Sequence, residues 1–144
     1  MKTKEYQTYR KGCKKSDLWR ADLLAIEPGW FGSKGHPFWG FEHGPGWAKI
    51  IERGLGIIKN WQENWSGDKK NNPYSIDNFK VTQVKEKFGS LRFYTYGGDE
   101  KVHGLIAMME AMCEITCEEC GLPGVINTDG WAKCLCKLHR KTRG

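Results

Sequence analysis

Residues 79–96 read FKVTQVKEKFGSLRFYTY, and this stretch decides the fold class. Val81, Thr82 and Val84 lie in its first half, and Phe93, Tyr94, Thr95 and Tyr96 in its second. β-Branched and aromatic residues favour a pleated, half-buried backbone. With Phe88-Gly89-Ser90 near a turn, the stretch predicts a β-hairpin with strands at about Phe79–Lys87 and Leu91–Tyr96. Side chains alternate along a strand. Leu91, Phe93 and Thr95 therefore share one face, and Arg92, Tyr94 and Tyr96 the other. Lys85, Lys87 and Arg92 then gather toward one end of the ribbon beside Tyr94. A basic and aromatic sheet face is one physical means of binding nucleic acid. The competing reading is a solvated face whose long cationic chains cover aromatic rings.

Helical patterns flank the hairpin. Upstream, Trp47, Ile50, Ile51, Leu55, Ile58, Trp61 and Trp65 recur at helical spacing from about Gly46 to Trp65. That stripe reads as core. Gly54 and Gly56 weaken such a helix by roughly 1 kcal/mol each against Ala, and a glycine there lets another element approach closely. Downstream, Gly97-Gly98 breaks the strand and Asp99 caps the next helix, with Glu100 in its first turn, where the dipole favours an acid. Its buried stripe is Val102, Leu105, Ile106, Met109 and Met112 or Cys113. A shorter helix, capped at Ser16-Asp17, runs to about Ile26 and ends at Pro28-Gly29. Residues 66–78 form a polar, turn-rich loop.

Residues 28–46, PGWFGSKGHPFWGFEHGPG, form an irregular loop pinned to the body by its rings, since a flexible linker would not carry so many large apolar groups. Two readings stand. Trp30, Trp39, Lys34, His36 and His43 can stack on a base or nucleotide, or the aromatics are loop anchors in the core.

The most specific chemical signal follows the second long helix. Cys117-Glu118-Glu119-Cys120-Gly121 sets two sulfurs three positions apart, and Cys136-Lys137-Leu138-His139 sets a sulfur and an imidazole at the same spacing. Four such ligands in two short turns suit a tetrahedral zinc ion. Gly121 supplies the positive φ that a Cys-x-x-Cys turn demands. The expected structural ligands are Cys117, Cys120, Cys136 and His139. Cys134 competes with Cys136 for the third position; Cys136 is preferred because its pairing with His139 mirrors the first turn. Cys113 reads as a buried core thiol and Cys13 as a free one.

Four protein ligands close a zinc site and leave no position for catalysis. There is no His-Glu-x-x-His and no phosphate-binding loop of the Walker type. Glu42 and His43 are the best acid–base pair in the chain, so a hydrolase using them is one alternative function.

The chain's 144 residues suit one domain or one domain with a small appendage. No run of about 18 apolar residues is present, which argues against a membrane span. The basic N-terminus lacks the apolar segment of a secretion signal. Five of the six cysteines crowd into one region, which metal binding in a reducing cytoplasm explains better than disulfides do. The net charge of +6 is concentrated at the two ends. Basic ends on a neutral body can touch nucleic acid or an acidic protein, or only aid solubility.

The segment Val84-Lys85-Glu86-Lys87-Phe88-Gly89-Ser90-Leu91-Arg92-Phe93-Tyr94, followed by the Cys117 pair and by Trp131 and Cys136-x-x-His139, resembles a group of small uncharacterised phage and prophage proteins. That group has a Lys-Glu-Lys-Phe-Gly-Gly-Leu-Arg-Phe-Tyr segment, a Gly-Trp helix start and a C-terminal Cys-x-x-Cys-Gly site. Gly46-Trp47 matches the helix start, and Ser90 replaces the second Gly. Cys134 stands where the group usually has Thr, which favours Cys136 as the ligand. The likeness covers about residues 38–140 and implies a phage origin without implying an activity.

The expected architecture is thus α+β: helices packed on a small antiparallel sheet, with a C-terminal zinc-ribbon or treble-clef-like module. Residues 1–15 would be a basic arm, 16–115 the body and 116–144 the module. The expected function is a non-enzymatic phage product acting in the host cytoplasm on host machinery, including inhibition of defence. It would contact a host protein or nucleoprotein complex, or nucleic acid, through Lys85, Lys87, Arg92, Tyr94, Trp39 and His43. Sequestration of a nucleotide signal is the other alternative.

Overall fold

A computed structural model describes residues 17–64 and 76–142. The expected basic arm, Ser16, Trp65 and most of the polar loop lie outside the described residues. Four α-helices are formed among those described: α1 (Leu18–Leu24), α2 (Ala48–Asn64), α3 (Glu100–Cys113) and α4 (Lys137–Thr142). Five strands accompany them: β1 (Phe41–Glu42), β2 (Lys80–Lys87), β3 (Ser90–Tyr96), β4 (Val125–Asn127) and β5 (Lys133–Leu135).

The hairpin forms as β2 and β3, antiparallel, with Val84 opposite Phe93, Lys85 opposite Arg92 and Lys87 opposite Ser90. The turn is only Phe88-Gly89, at φ 55° and 82°. Positive φ at both central residues matches the right-handed twist of the flanking strands. The expected antiparallel sheet gains a third strand of the other sense: β1 pairs parallel to β2, with Phe41 beside Val84 and Glu42 beside Lys85. The sheet is therefore mixed. Its rows follow from this register. Phe41, Val84 and Phe93 form an inward row, all buried, while Glu42, Lys85 and Arg92 form a row on the opposite face.

The core lies between the inner sheet face and the two long helices. Trp47, Ile51, Leu55 and Ile58 meet Val81, Val84, Leu91 and Phe93, and α3 adds Val102, Ile106, Met109 and Cys113. Each such side chain, fully buried, contributes about 1.5–3 kcal/mol. The helical spacing of the α2 stripe is what turns these residues to one side. Gly54 lets α3 approach: a methyl there would lie 2.2 Å from the Met109 sulfur. Asp99 caps α3 as expected, its carboxylate accepting from the Val102 N–H at 3.0 Å. Asp17 instead pairs with Arg20. Along the free edge of β3, the Phe93 N–H donates to Glu110 at 3.3 Å, which occupies an edge donor that would otherwise invite another strand.

The loop before α2 is anchored by its rings. Trp30 packs edge-on against Phe79, and Phe31, Phe38 and Phe41 cluster at 5.0–5.7 Å between centroids. The anchoring reading therefore holds for most of these aromatics. Trp39 is the exception, 68% exposed, with its backbone N–H donating to the Thr82 carbonyl at 3.0 Å. Among the described residues no helix is long and apolar enough to cross a membrane.

Candidate metal centre

The chain leaves α3 at Cys113 and turns at once into the first ligand pair. Cys117 to Gly121 closes a tight turn, in which the Gly121 N–H donates to the Cys117 carbonyl at 2.9 Å with Gly121 at φ 82°. An L side chain is disfavoured at such a φ. The antiparallel pair β4–β5 follows, and Cys136 stands immediately before α4, which carries His139 one turn along. Turn, hairpin and helix start thus converge on one point.

The Sγ atoms of Cys117, Cys120 and Cys136 and a ring nitrogen of His139 all lie within 4.8 Å of one another. Cys120 and Cys136 sulfurs are 3.8 Å apart. The His139 Nδ1 lies 3.5 Å from Cys117 Sγ and 3.2 Å from Cys136 Sγ. Metal–sulfur bonds near 2.3 Å and metal–nitrogen bonds near 2.0 Å in a tetrahedron require sulfur–sulfur edges of about 3.8 Å and sulfur–nitrogen edges of about 3.5 Å. The cluster is compatible with a metal site of that size and donor set, with His139 offering Nδ1.

Backbone amides support the thiolates. Burial works to raise the Cys117 thiol, but N–H groups of Cys136, Cys120 and Glu119 aimed at its sulfur bring it below the ordinary value. Cys136 is lowered chiefly by the His139 N–H, against a smaller effect of burial. For Cys120 the Leu122 N–H favours ionisation, yet burial and the neighbouring sulfurs push the thiol up. Three adjacent thiols resist common ionisation, and a bound dication removes that conflict.

Cys134 does not join them. It is buried in the main core, and its thiol donates to the Glu114 carbonyl at 3.3 Å. Cys136 takes the third place, as the symmetry of the two pairs suggests. Cys113 is a core thiol, pushed up to about 12 by burial and the nearby Cys134. Cys13 lies outside the described residues.

Comparison with known proteins adds nothing to this geometry. No family model, no curated protein and no solved structure matches the chain.

Glu118, between the two turn cysteines, is a residue that ligand spacing passes over. It is only 3% exposed. Its carboxylate accepts from the Gly44 N–H at 2.8 Å, its carbonyl from the Gly46 N–H at 2.6 Å, and Lys133 stands 3.8 Å from the other carboxylate oxygen. Burial raises its pKa, while Lys133 and the Gly44 N–H act to lower it. The Trp47 indole N–H donates to the Thr116 carbonyl at 2.8 Å. The metal turn is thus seated on the segment that starts α2.

The tentative binding residues divide. Lys85 and Arg92 face each other across the outer sheet surface, with Lys87 farther toward the turn and exposed Tyr94 on β3 opposite Gln83. Tyr96 is exposed on the same strand and packs its ring against His36, 4.1 Å away. His43 is elsewhere. It is buried against Trp19, Phe41 and Trp47, with Nδ1–H donating to the Gly44 carbonyl at 2.7 Å. Burial holds it neutral, with a pKa of about 4. Glu42, its neighbour, is exposed in the outer row beside Lys85, so the strand directs the two residues to opposite sides and they do not form an acid–base pair. Phe88, next to Lys87, is a residue that strand alternation passes over. It is 71% exposed at the hairpin tip, with the Lys87 ammonium 5.6 Å from its ring centre. The signal was present in the sequence, because a two-residue turn of this type ordinarily carries Asn, Asp or Gly where Phe88 stands.

Proposed function

We propose that the protein is a non-enzymatic binding protein whose outer sheet face and hairpin tip hold single-stranded nucleic acid, free or within a nucleoprotein complex. In this reading Cys117, Cys120, Cys136 and His139 hold a structural zinc ion in a treble-clef-like module that supports the binding face. In this proposal the protein is a phage product that acts on host machinery, with inhibition of a defence complex as the biological setting.

The observation that carries the reading is Phe88. A bulky apolar ring is kept in the left-handed region, which costs stability, and stays exposed to water, where it gains nothing from burial. Beside it run Lys87, the opposed Lys85 and Arg92, and Tyr94. Like charges placed directly opposite across strands are destabilising; Glu42 flanks Lys85 on its other side, and a bound phosphate would serve Arg92 and Lys87. Rings for stacking and cations for phosphates are the two components of sequence-tolerant single-strand binding.

Phe88→Asn separates this role from a structural one. Asn suits the turn, so the variant should gain about 1 kcal/mol of stability. It should also bind a fluorescent oligothymidine of about 15 nucleotides roughly tenfold more weakly, the loss expected from one stacked base. Unchanged oligonucleotide affinity in a stabilised variant overturns the reading.

A further inference from the structure

A second surface lies away from the sheet. Helices α2 and α3 run antiparallel: Lys101 at the start of α3 lies over the Trp61 ring near the end of α2, while Gly54 meets Met109 midway. Between them is an open groove of about 340 Å³. Ile50, Gly54, Leu105 and Met109 line its floor. Ile57 on one rim is 42% exposed and Met108 on the other 60%. The two rims differ in charge. The α2 rim carries Lys49 and Arg53, and neither has an acidic partner among the described residues. The α3 rim is Met108 and Met112.

We infer that this groove docks an amphipathic helix of a partner protein, with acidic residues along one flank. From Lys49 to Ile57 the groove runs about 12 Å, or two helical turns. A docked helix would therefore present apolar anchors at i, i+3 or i+4, and i+7. Its carboxylates face Lys49 and Arg53. Methionine on the opposite rim repacks around anchors of different shape. The charge on one rim alone fixes the direction and rotation of the occupant, because only one flank gains from acid. A second copy of this chain is a poorer occupant: across a two-fold axis Lys49 and Arg53 would meet their own copies or the neutral methionine rim.

The test is selection from a yeast-display library of helical peptides of about 16 residues with fixed apolar anchors and randomised flanks. Selected peptides should be enriched in Asp and Glu on one flank. They should bind Met108→Glu at least tenfold more weakly, and the double variant Lys49→Glu/Arg53→Glu should prefer basic flanks instead. All the altered side chains are exposed, and a thermal melt matching the wild type verifies the fold. Selection of no groove-dependent peptide, or of peptides whose binding ignores flank charge, overturns the proposal. So does a concentration-dependent dimer that Met108→Glu abolishes, which assigns the groove to a second copy.

Discussion

The N–H of Gly46 donates to the carbonyl of Glu118 across 2.6 Å, and a methyl group on Gly46 would lie 2.1 Å from the Cys117 carbonyl oxygen. The start of α2 and the metal turn thus touch backbone to backbone. The metal turn forms one wall of the site where α2 begins.

Gly46→Ala tests this contact. The methyl group meets backbone that cannot rotate away, so a loss of about 2–3 kcal/mol is expected, read as a lower denaturation midpoint. Gly56→Ala, on the same helix with nothing within 4 Å of the added carbon, should instead gain up to about 1 kcal/mol. Equal effects at the two positions contradict the contact.

Metal removal should reach the core. Trp47 is fully buried and hydrogen-bonded to Thr116, next to a ligand. Chelation under reducing conditions should shift tryptophan emission to the red and weaken the near-ultraviolet circular dichroism. Cobalt(II) added to the metal-free protein should give intense tetrahedral bands with sulfur charge transfer, at one ion per chain. Weak octahedral bands, or chelation that leaves the tryptophans unchanged, speak against the assignment.

His43 gives stability an acid limb. Unfolded, the imidazole titrates near 6.5; folded, burial lowers that to about 4. Between these values the unfolded chain binds more protons, so stability is fully present above pH 6.5 and is lost as pH falls toward 4. The loss amounts to about 3 kcal/mol. His43→Phe retains a ring among Trp19, Phe41 and Trp47 and should flatten this limb relative to the wild type. A parallel decline in both proteins contradicts it; the acid sensitivity of the thiolate cluster is common to the two.

How far the sequence carries depends on the range of each interaction. The hairpin turn, the Asp99 cap, the α2 stripe and each of the two ligand pairs are set by residues close in sequence, and periodicity or spacing reveals them. The parallel strand β1 is not visible in this way. Phe41-Glu42 is two residues in a glycine- and proline-rich loop, and its partners Val84 and Lys85 lie 43 positions downstream. Burial of His43 and Glu118 is hidden for a similar reason: each is a polar residue covered by an element distant in sequence. Phe88 differs, since its turn chemistry is local and its mismatch with the turn type was legible.

The salt dependence of oligonucleotide binding tests the central claim most directly. Single-strand affinity falls with a log–log slope of about −0.7 per phosphate neutralised. If Lys85, Lys87 and Arg92 each meet one phosphate, the slope is near −2, and Arg92→Ala makes it shallower by about 0.7. A flat titration, or a slope that Arg92→Ala leaves unchanged, contradicts the assignment of the outer sheet face as a nucleic-acid surface.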